Sequence, residues 1–270
     1  MIPFDCHIHT SYSSDAECSM EEQFRAAKAR GLREIAITDH VDYMYPAEPY
    51  PYQIDYGAYG REFRRVAAEF PGVRAAFGAE IGLGPGAEIA AEIARFAQAY
   101  PFDFIIGSIH DYYGGELHRD SALWRRDKRE AYAEYLDYAL RSFRACPAFS
   151  VAGHLDYISR YGPYPDPSLR YSEFKAETDA VLRFLIDSGK GLEVNTSGFR
   201  YGLGGVYPQP EILSAYKRLG GEILTVGSDA HRSRDVAADF DAAERAVRGA
   251  GFDKICVFRR MIPEFILIPF

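Results

Sequence analysis

The chain has 270 residues, of which 47% are hydrophobic and 26% charged, and its 39 acidic and 31 basic side chains give a net charge of −8. This composition is typical of a soluble globular protein, and the acidic balance argues against a nucleic-acid binder that works by broad electrostatic attraction. The sequence shows no signal peptide, no apolar stretch long enough to cross a membrane, and no CxxC pair among its four cysteines. We therefore expect a cytoplasmic protein with reduced thiols.

Short apolar runs alternate with longer amphipathic segments along the chain. The predicted strands span residues 2–6, 34–38, 73–79, 102–108, 149–153, 191–195 and 223–227. The predicted helices span residues 20–30, 59–70, 87–99, 127–144, 173–188, 210–219 and 236–250. These seven units predict an α/β fold with a parallel sheet, closed or nearly closed into a barrel related to the eight-fold one; a doubly wound open sheet is the alternative.

Local signals support these bounds at one helix and leave the end of the chain open. Ser19 and Glu22 have the spacing of a capping box at the start of the first predicted helix, and Gly31 follows its end. Residues 255–258 predict either one more strand or a C-terminal extension.

Side chains that bind metals follow almost every predicted strand. They are His7, His9, His40, Glu80, His110, His154, Asp229 and His231, with Asn195 at the end of the sixth strand. In parallel α/β folds, functional groups gather at the carboxyl ends of the strands. A purely structural role for all of them is disfavoured, because buried polar groups without partners are costly.

The spacing of these residues indicates a shared site. His7 and His9 are two residues apart, as are Asp229 and His231, so each pair points to one face of an extended segment. Imidazole ligands suit zinc, iron and manganese, and the added carboxylates favour the harder ions. The sequence therefore predicts a metal site without fixing the metal.

Three other polar residues need separate interpretations. Asp156 repeats the two-residue spacing after His154 unless it lies beyond the strand. Asp39 adjoins a candidate ligand and should point elsewhere, so it is interpreted as a supporting acceptor. His118 lies in a polar segment and is expected on an exposed loop.

The motifs resemble those of the PHP superfamily (polymerase and histidinol phosphatase), in the family's order and over nearly the whole chain. The matching segments are residues 5–9, 38–40, 78–80, 107–110, 153–156 and 227–231. Within the superfamily, the length, Asp15 after the HxH pair, segments 154–160 and 195–200 and the basic, proline-containing C-terminus resemble the monofunctional histidinol phosphate phosphatases.

The resemblance implies a distorted seven-stranded TIM-like barrel, a single domain over residues 1–270, and three divalent ions that are zinc, iron or manganese. By motif, the first ion is held by His7, His9, Glu80 and Asp229, the second by Glu80 as a bridge with His110 and His154, and the third by Asp15, His40 and His231. Glu17 is an alternative to Asp15 as a ligand. Asp229 and His231 also count among the candidate catalytic residues.

The implied reaction is hydrolysis of a phosphate monoester by a hydroxide that bridges metal ions. L-histidinol phosphate, an intermediate of histidine biosynthesis, is the expected substrate. Arg160 and Arg200 are candidate catalytic residues, because guanidinium groups bind phosphoryl oxygens in a two-pronged fashion. The proton donor for the leaving alkoxide is not identified, and the tyrosine-rich segment 43–59 is interpreted either as a lid or as a rigid connection.

Other functions remain as alternatives. The first is a PHP phosphoesterase that acts on a nucleotide or sugar phosphate. The second is an amidohydrolase, which is disfavoured because this chain has Glu80 at the strand end where that class carries a lysine. The third is a metal-binding module without activity. No P-loop, GxSxG elbow or dinucleotide fingerprint occurs, and the sequence predicts no oligomeric state.

Overall fold

The computed structural model describes residues 2–43, 54–117 and 121–268. Its strands are β1 (Phe4–Ile8), β2 (Glu34–Ile37), β3 (His40–Val41), β4 (Arg74–Gly82), β5 (Phe104–Ser108), β6 (Asp111–Tyr112), β7 (Gly115–Glu116), β8 (Val151–Ala152), β9 (Gly191–Asn195), β10 (Leu224–Gly227), β11 (Lys254–Arg259) and β12 (Ile262–Leu267). Its helices are α1 (Met20–Ala29), α2 (Tyr56–Glu69), α3 (Ala87–Ala99), α4 (Lys128–Ala145), α5 (Lys175–Asp187), α6 (Ser197–Arg200), α7 (Pro210–Arg218) and α8 (Phe240–Gly249).

In the described residues, seven parallel strands form the sheet in the order β1-β2-β4-β5-β8-β9-β10, and the short β3 pairs with the end of β4. A bridge between Ile8 and Ala230 joins the two outer strands. The N–H of His9 donates to the carbonyl of Ala230 at 3.0 Å, and the N–H of Ala230 donates to the carbonyl of His7 at 3.3 Å. The sheet is therefore a nearly closed barrel, as predicted, and the alternative of an open sheet is wrong.

The barrel strands are short and buried, and the helices around them bury one face each. In α1 the Oγ of Ser19 accepts the N–H of Glu22 at 3.3 Å, and the Glu22 carboxylate accepts the N–H of Ser19 at 2.8 Å. Gly31 follows the helix with a φ of +73°, a conformation that glycine adopts without a steric penalty. The predicted capping box and helix stop are thus confirmed.

Two strands run further than predicted, and this matters for the site. β1 continues beyond Cys6 through His7 to Ile8, and β4 continues to Gly82, so Glu80 lies inside the strand. Their polar side chains do not end the strands because the backbone pairing continues past them, as Ile8 pairs with Ile37 and Glu80 with Ile106.

The end of the described chain forms a separate antiparallel hairpin. The strand predicted at residues 255–258 is part of β11, which pairs with β12. Sequence patterning did not predict β12, β3 or the small hairpin of β6 and β7. No helix in the described ranges is both long and apolar enough to cross a bilayer. Residues 44–53, which include most of the tyrosine-rich segment, and His118 lie outside the described residues.

Candidate active site

The first cluster of candidate ligands lies where β1 meets the end of β10. The Nε2 atoms of His7 and His9 are 2.9 Å apart. Glu80 Oε2 lies 3.1 Å from His7 Nε2 and 3.4 Å from His9 Nε2. Asp229 Oδ1 lies 3.7 and 3.3 Å from the same two nitrogens. Four buried ligand atoms therefore face one point.

The spacing of these atoms fits a bound metal ion. Nitrogen and oxygen ligands about 2.0–2.1 Å from a tetrahedral zinc ion stand roughly 3.3–3.4 Å apart, and the separations here run from 2.9 to 3.7 Å. Two imidazole nitrogens at 2.9 Å can share at most one proton, whereas a cation accepts both lone pairs. The donor set consequently suits a divalent ion.

A second cluster uses the other oxygen of Glu80. Its Oε1 lies 3.2 Å from His110 Nε2 and 2.9 Å from His154 Nε2. The Oγ of Ser108, at the end of β5, donates to the same oxygen at 2.6 Å. Because its two oxygens face different histidine pairs, Glu80 stands between two candidate metal positions.

A third cluster lies nearer the surface. Asp15 Oδ2 is 3.2 Å from His231 Nε2 and 3.7 Å from His40 Nε2. The ring of His9 stacks against the rings of His231 and His40, with centroid distances of 4.1 and 4.3 Å. His9, His40 and His231 also bring ring nitrogens close enough together to hold a metal ion, so this group continues from the first cluster.

The charges of the clusters act on one another through a buried environment. Burial alone would lower the pKa of His7, but the carboxylates of Glu193, Glu80 and Asp229 raise it well above its ordinary value. Burial lowers the pKa of His9 well below that value, and the neighbouring His231 adds to the effect. Burial opposes ionisation of Glu80 and Asp229, yet the histidines, His7 first, hold both pKa values well below the usual range. Both acids are therefore ionised at neutral pH and can serve as metal ligands.

Two supporting acids were missed by the sequence analysis. Glu193 Oε1 lies 2.6 Å from Nδ1 of His7, and Asp42 Oδ1 lies 2.9 Å from Nδ1 of His110. Glu193 occupies an apolar strand two residues before Asn195, so alternation on β9 was a signal that could have found it. The signal for Asp42 was its position two residues after His40, across a strand too short to be recognised.

Asp39 has the supporting position that its sequence predicted. Its carboxylate accepts hydrogen bonds from Thr10 N at 2.7 Å and from Ser13 Oγ at 2.7 Å. That Oγ lies 3.2 Å from Nδ1 of His9. Burial raises the pKa of Asp39 to about 6 against these hydrogen bonds, which lower it. Asp39 therefore supports the candidate ligand His9 indirectly, through Ser13 in the loop after β1.

The structure shows the surroundings of three residues whose roles the sequence left open. Asp156 Oδ2 accepts the N–H of Gln209 at 3.0 Å, and Asp156 does not line the site cavity. Glu17 is exposed and pairs with Arg232 at 2.5 Å, whereas Asp15 faces the histidines. The Nδ2 of Asn195 donates to Glu193 Oε2 at 3.1 Å, so it supports that carboxylate.

A cavity of about 240 Å³ opens over the clusters. Its lining comprises Asp15, His40, Asp42, Glu80, His110, Leu117, His154, Tyr157, Arg160, Tyr161, Tyr201, Asp229 and His231. The guanidinium carbon of Arg160 lies 3.2 Å from the centroid of the Tyr201 ring and 5.0 Å from that of Tyr161. Among the described residues no carboxylate pairs with Arg160, so its charge is available to an anion in the cavity.

Arg200 has a different environment from Arg160. Its Nη2 donates to the backbone carbonyl oxygens of Ser228 and Asp229 at 2.5 and 2.8 Å, and it does not line the cavity. These contacts hold the backbone that carries a candidate ligand. A direct contact of Arg200 with phosphate stays a prediction.

A barrel with histidine and carboxylate clusters at its strand ends defines a class of metal-dependent hydrolases. The chain belongs to the PHP family, because the sequence model of the PHP domain matches residues 5–197. Two curated relatives match over nearly the full length of both chains. A histidinol-phosphatase of Lactococcus lactis is 31% identical and the match covers 97% of this chain and 96% of the relative. A probable histidinol-phosphatase of Clostridium acetobutylicum is 29% identical, with 96% and 98% covered.

Solved structures agree with this assignment. The crystal structure of the histidinol phosphate phosphatase from Lactococcus lactis, complexed with zinc, L-histidinol and phosphate, has a TM-score of 0.89 at 30% identity. It covers 97% of this chain and 99% of that one. A putative histidinol phosphatase from Listeria monocytogenes shares the fold with a TM-score of 0.76 at 17% identity, covering 88% and 98%. The matches favour a phosphatase over the amidohydrolase alternative.

Proposed function

We propose that this protein is a metal-dependent phosphatase that hydrolyses L-histidinol phosphate to L-histidinol and phosphate, a step of histidine biosynthesis. The observation that carries the proposal is the position of the Arg160 guanidinium, which pairs with no carboxylate of the described residues, in the same cavity as the three ligand clusters. The full-length relationship to histidinol-phosphatases supplies the substrate.

The three clusters support a proposed set of metal ligands. We assign His7, His9, Glu80 and Asp229 to the first ion, Glu80, His110 and His154 to the second, and Asp15, His40 and His231 to the third. Zinc is the first candidate because the Lactococcus lactis structure contains it, and iron and manganese also suit such ligands. When bound, the ions lower the pKa of a coordinated water and offset the charge of phosphoryl oxygens.

Arg160 binds and orients the phosphate group. The rings of Tyr201 and Tyr161 lie near its guanidinium, which limits the directions from which its N–H groups can meet a ligand. Charge-assisted hydrogen bonds from guanidinium to phosphoryl oxygens are short and directional, so they fix the phosphorus relative to the metal side of the cavity.

His231 and Asp229 lie beside each other at the cavity, where Nδ1 of His231 can hold a proton while Asp229 stays ionised. The Nδ1 of His231 lies 3.0 Å from the Asp229 carbonyl oxygen and 3.4 Å from its Oδ1, while Nε2 faces Asp15. Both residues line the cavity. We assign them to the catalytic machinery together with Arg160, and Arg200 acts by holding the backbone of Asp229.

The proposal extends to the domain and its compartment. The PHP match ends at residue 197, but β10 and the ligands Asp229 and His231 complete the barrel beyond it, so we assign residues 1–270 to one PHP domain. Its four cysteines are free thiols, which fits a reducing compartment such as the cytoplasm.

A phosphate-release panel with metal analysis tests the function. The purified protein is assayed on L-histidinol phosphate, nucleoside monophosphates and sugar phosphates, before and after chelation and zinc readdition. We expect L-histidinol phosphate to have the highest kcat/KM, with activity lost on chelation and restored by zinc. Efficient cleavage of a nucleotide with no cleavage of L-histidinol phosphate would overturn the substrate assignment.

A further inference from the structure

Asp42 occupies a position that depends on the pairing of two strands. β3 runs parallel to β4 with His40 beside Glu80 and Val41 beside Ile81. The next residue, Asp42, lies against Gly82, and a Cβ added to Gly82 would overlap the carboxylate oxygen of Asp42. The side chain of Asp42 is 6% exposed. The absence of a side chain at residue 82 thus makes room for a buried carboxylate beside the site.

That carboxylate faces the nitrogen of His110 that points away from Glu80. Asp42 Oδ1 lies 2.9 Å from Nδ1, and Nε2 of the same ring lies 3.2 Å from Glu80 Oε1. A proton on Nδ1, donated to Asp42, leaves the Nε2 lone pair directed at the candidate metal position. The contact therefore selects both the tautomer and the orientation of the ring.

The same arrangement occurs on the opposite oxygen of Glu80. Glu193 Oε1 lies 2.6 Å from Nδ1 of His7, whose Nε2 is 3.1 Å from Glu80 Oε2. His154, by contrast, has a buried Nδ1 with no hydrogen-bond partner among the described residues. Glu80 is consequently flanked by two imidazoles, each held from behind by an acid, and only one of these acids lines the cavity.

We propose that Asp42, seated on Gly82, is a positioning residue that fixes His110 as a metal ligand through Nδ1. The proposal rests on the proposed metal-dependent function, since it assigns Asp42 a part in that centre. Asp42 itself contacts neither substrate nor ion in this role. Loss of an outer partner of a ligating histidine typically weakens metal affinity or activity about 10- to 100-fold.

The test combines two ways of weakening the contact, because an asparagine amide oxygen still accepts from Nδ1–H but carries no charge. Asp42→Asn keeps the size of the side chain and removes its charge, whereas Gly82→Ala keeps the carboxylate and displaces it. Gly72→Ala is the matched glycine control, because an added Cβ there meets nothing within 4 Å. Zinc affinity is measured on the full chain by competition with a chromogenic chelator, and bound zinc by elemental analysis.

We expect both Asp42→Asn and Gly82→Ala to weaken the affinity for one zinc equivalent about 10- to 100-fold. The kcat on L-histidinol phosphate should fall with it while KM changes little, and Gly72→Ala should match the wild type. Folded variants with wild-type zinc affinity would overturn the proposal. A purely structural role would lower the thermal midpoint and leave zinc affinity unchanged.

A measurement on the unmodified protein keeps the proposal decidable if either variant fails to fold. In the zinc-loaded wild type with ¹⁵N-labelled histidine, nuclear magnetic resonance should show His110 protonated on Nδ1. A His110 protonated on Nε2 would overturn the proposal whatever the variants do. If the wild type binds zinc but ignores L-histidinol phosphate, the proposed function fails while the zinc and tautomer data still decide the role of Asp42.

Discussion

The inner and outer parts of the candidate metal centre are built in different ways. His7, His9 and Glu80 have side chains that are at most 1% exposed, and strands β1 and β4 carry or adjoin them. Asp15 and His231, on loops after β1 and β10, have side chains that are 43% and 20% exposed. The inner part is fixed by barrel geometry, and the outer part depends on loops that border the cavity.

Supporting hydrogen bonds fix the geometry of the inner part. The inner part also has the contact from Glu193 to His7 and that from Ser108 to Glu80. These hydrogen bonds hold the side chains in one geometry before any ligand arrives. The outer part is exposed to solvent and borders the cavity, so we expect weaker binding and easier exchange of its ion.

Removal of an inner ligand should have the largest effect. His9→Ala deletes a nitrogen that faces Glu80 and Asp229. We expect kcat/KM to fall by more than about 100-fold, the upper figure for loss of a mere supporting residue, with less zinc bound by elemental analysis. Asp229→Ala should behave alike. Normal turnover with full metal content in either variant would contradict the assignment of the inner part.

Arg160 tests whether the cavity above both parts binds phosphate. Hydrogen bonds to charged groups are worth about 1.5–3 kcal/mol, so Arg160→Ala should raise KM about 10- to 100-fold with metal content unchanged. Arg160→Lys keeps the charge and should recover part of the loss. Steady-state kinetics with Arg200→Ala beside it separates the two arginines, since we expect that variant to lower kcat. Unchanged KM in Arg160→Ala would remove the phosphate role.

Asp15→Asn tests the outer part by itself. We expect it to lose one ion while the inner ions stay, because Asp15 faces only the outer histidines. Elemental analysis after dialysis should show this loss, and kcat should fall less than in His9→Ala. Loss of all bound metal from Asp15→Asn would contradict this expectation, because it would show that the inner and outer parts bind their ions as one unit.

The smallest expected effect is a loss of stability of the metal-free protein as the pH rises. Burial lowers the pKa of His231, but the hydrogen bond with Asp15 and the charge of Asp229 outweigh it and raise the pKa to about 9. The unfolded chain has a histidine pKa of about 6.5, so this stabilisation is complete below about pH 6.5 and is lost as pH rises through 9.

The thermal midpoint measures this dependence. Between pH 6.5 and 9 the metal-free wild type should lose more of its thermal midpoint than metal-free Asp15→Asn, in which the hydrogen-bonding carboxylate is absent. Scanning calorimetry on both proteins checks the difference. Parallel curves would show that the pair of Asp15 and His231 contributes nothing in the folded state.

Much of the fold and of the candidate site could be predicted, because the periodic pattern of apolar residues is a local property of the sequence. The bounds of α3 and β9 match the expected 87–99 and 191–195, and the structure brings the HxH pair together with Asp229, as the resemblance to the PHP superfamily implied. The pairing of Asp42 with His110 could not be predicted in this way, since it joins segments 68 residues apart. The sequence also left Asp15 and Glu17 as alternatives, because the direction of each side chain depends on the three-dimensional path of their loop.

The bridge between Ile8 and Ala230 closes the barrel by joining segments from opposite ends of the chain. His7 and His9 flank it on one side and Asp229 and His231 on the other, so ligands more than 200 residues apart meet across a seam held by few backbone hydrogen bonds. An ion bound to both sides would join two segments that are far apart in the sequence, and so oppose the loss of entropy that closing such a long loop costs. We therefore expect metal binding to stabilise the closed barrel.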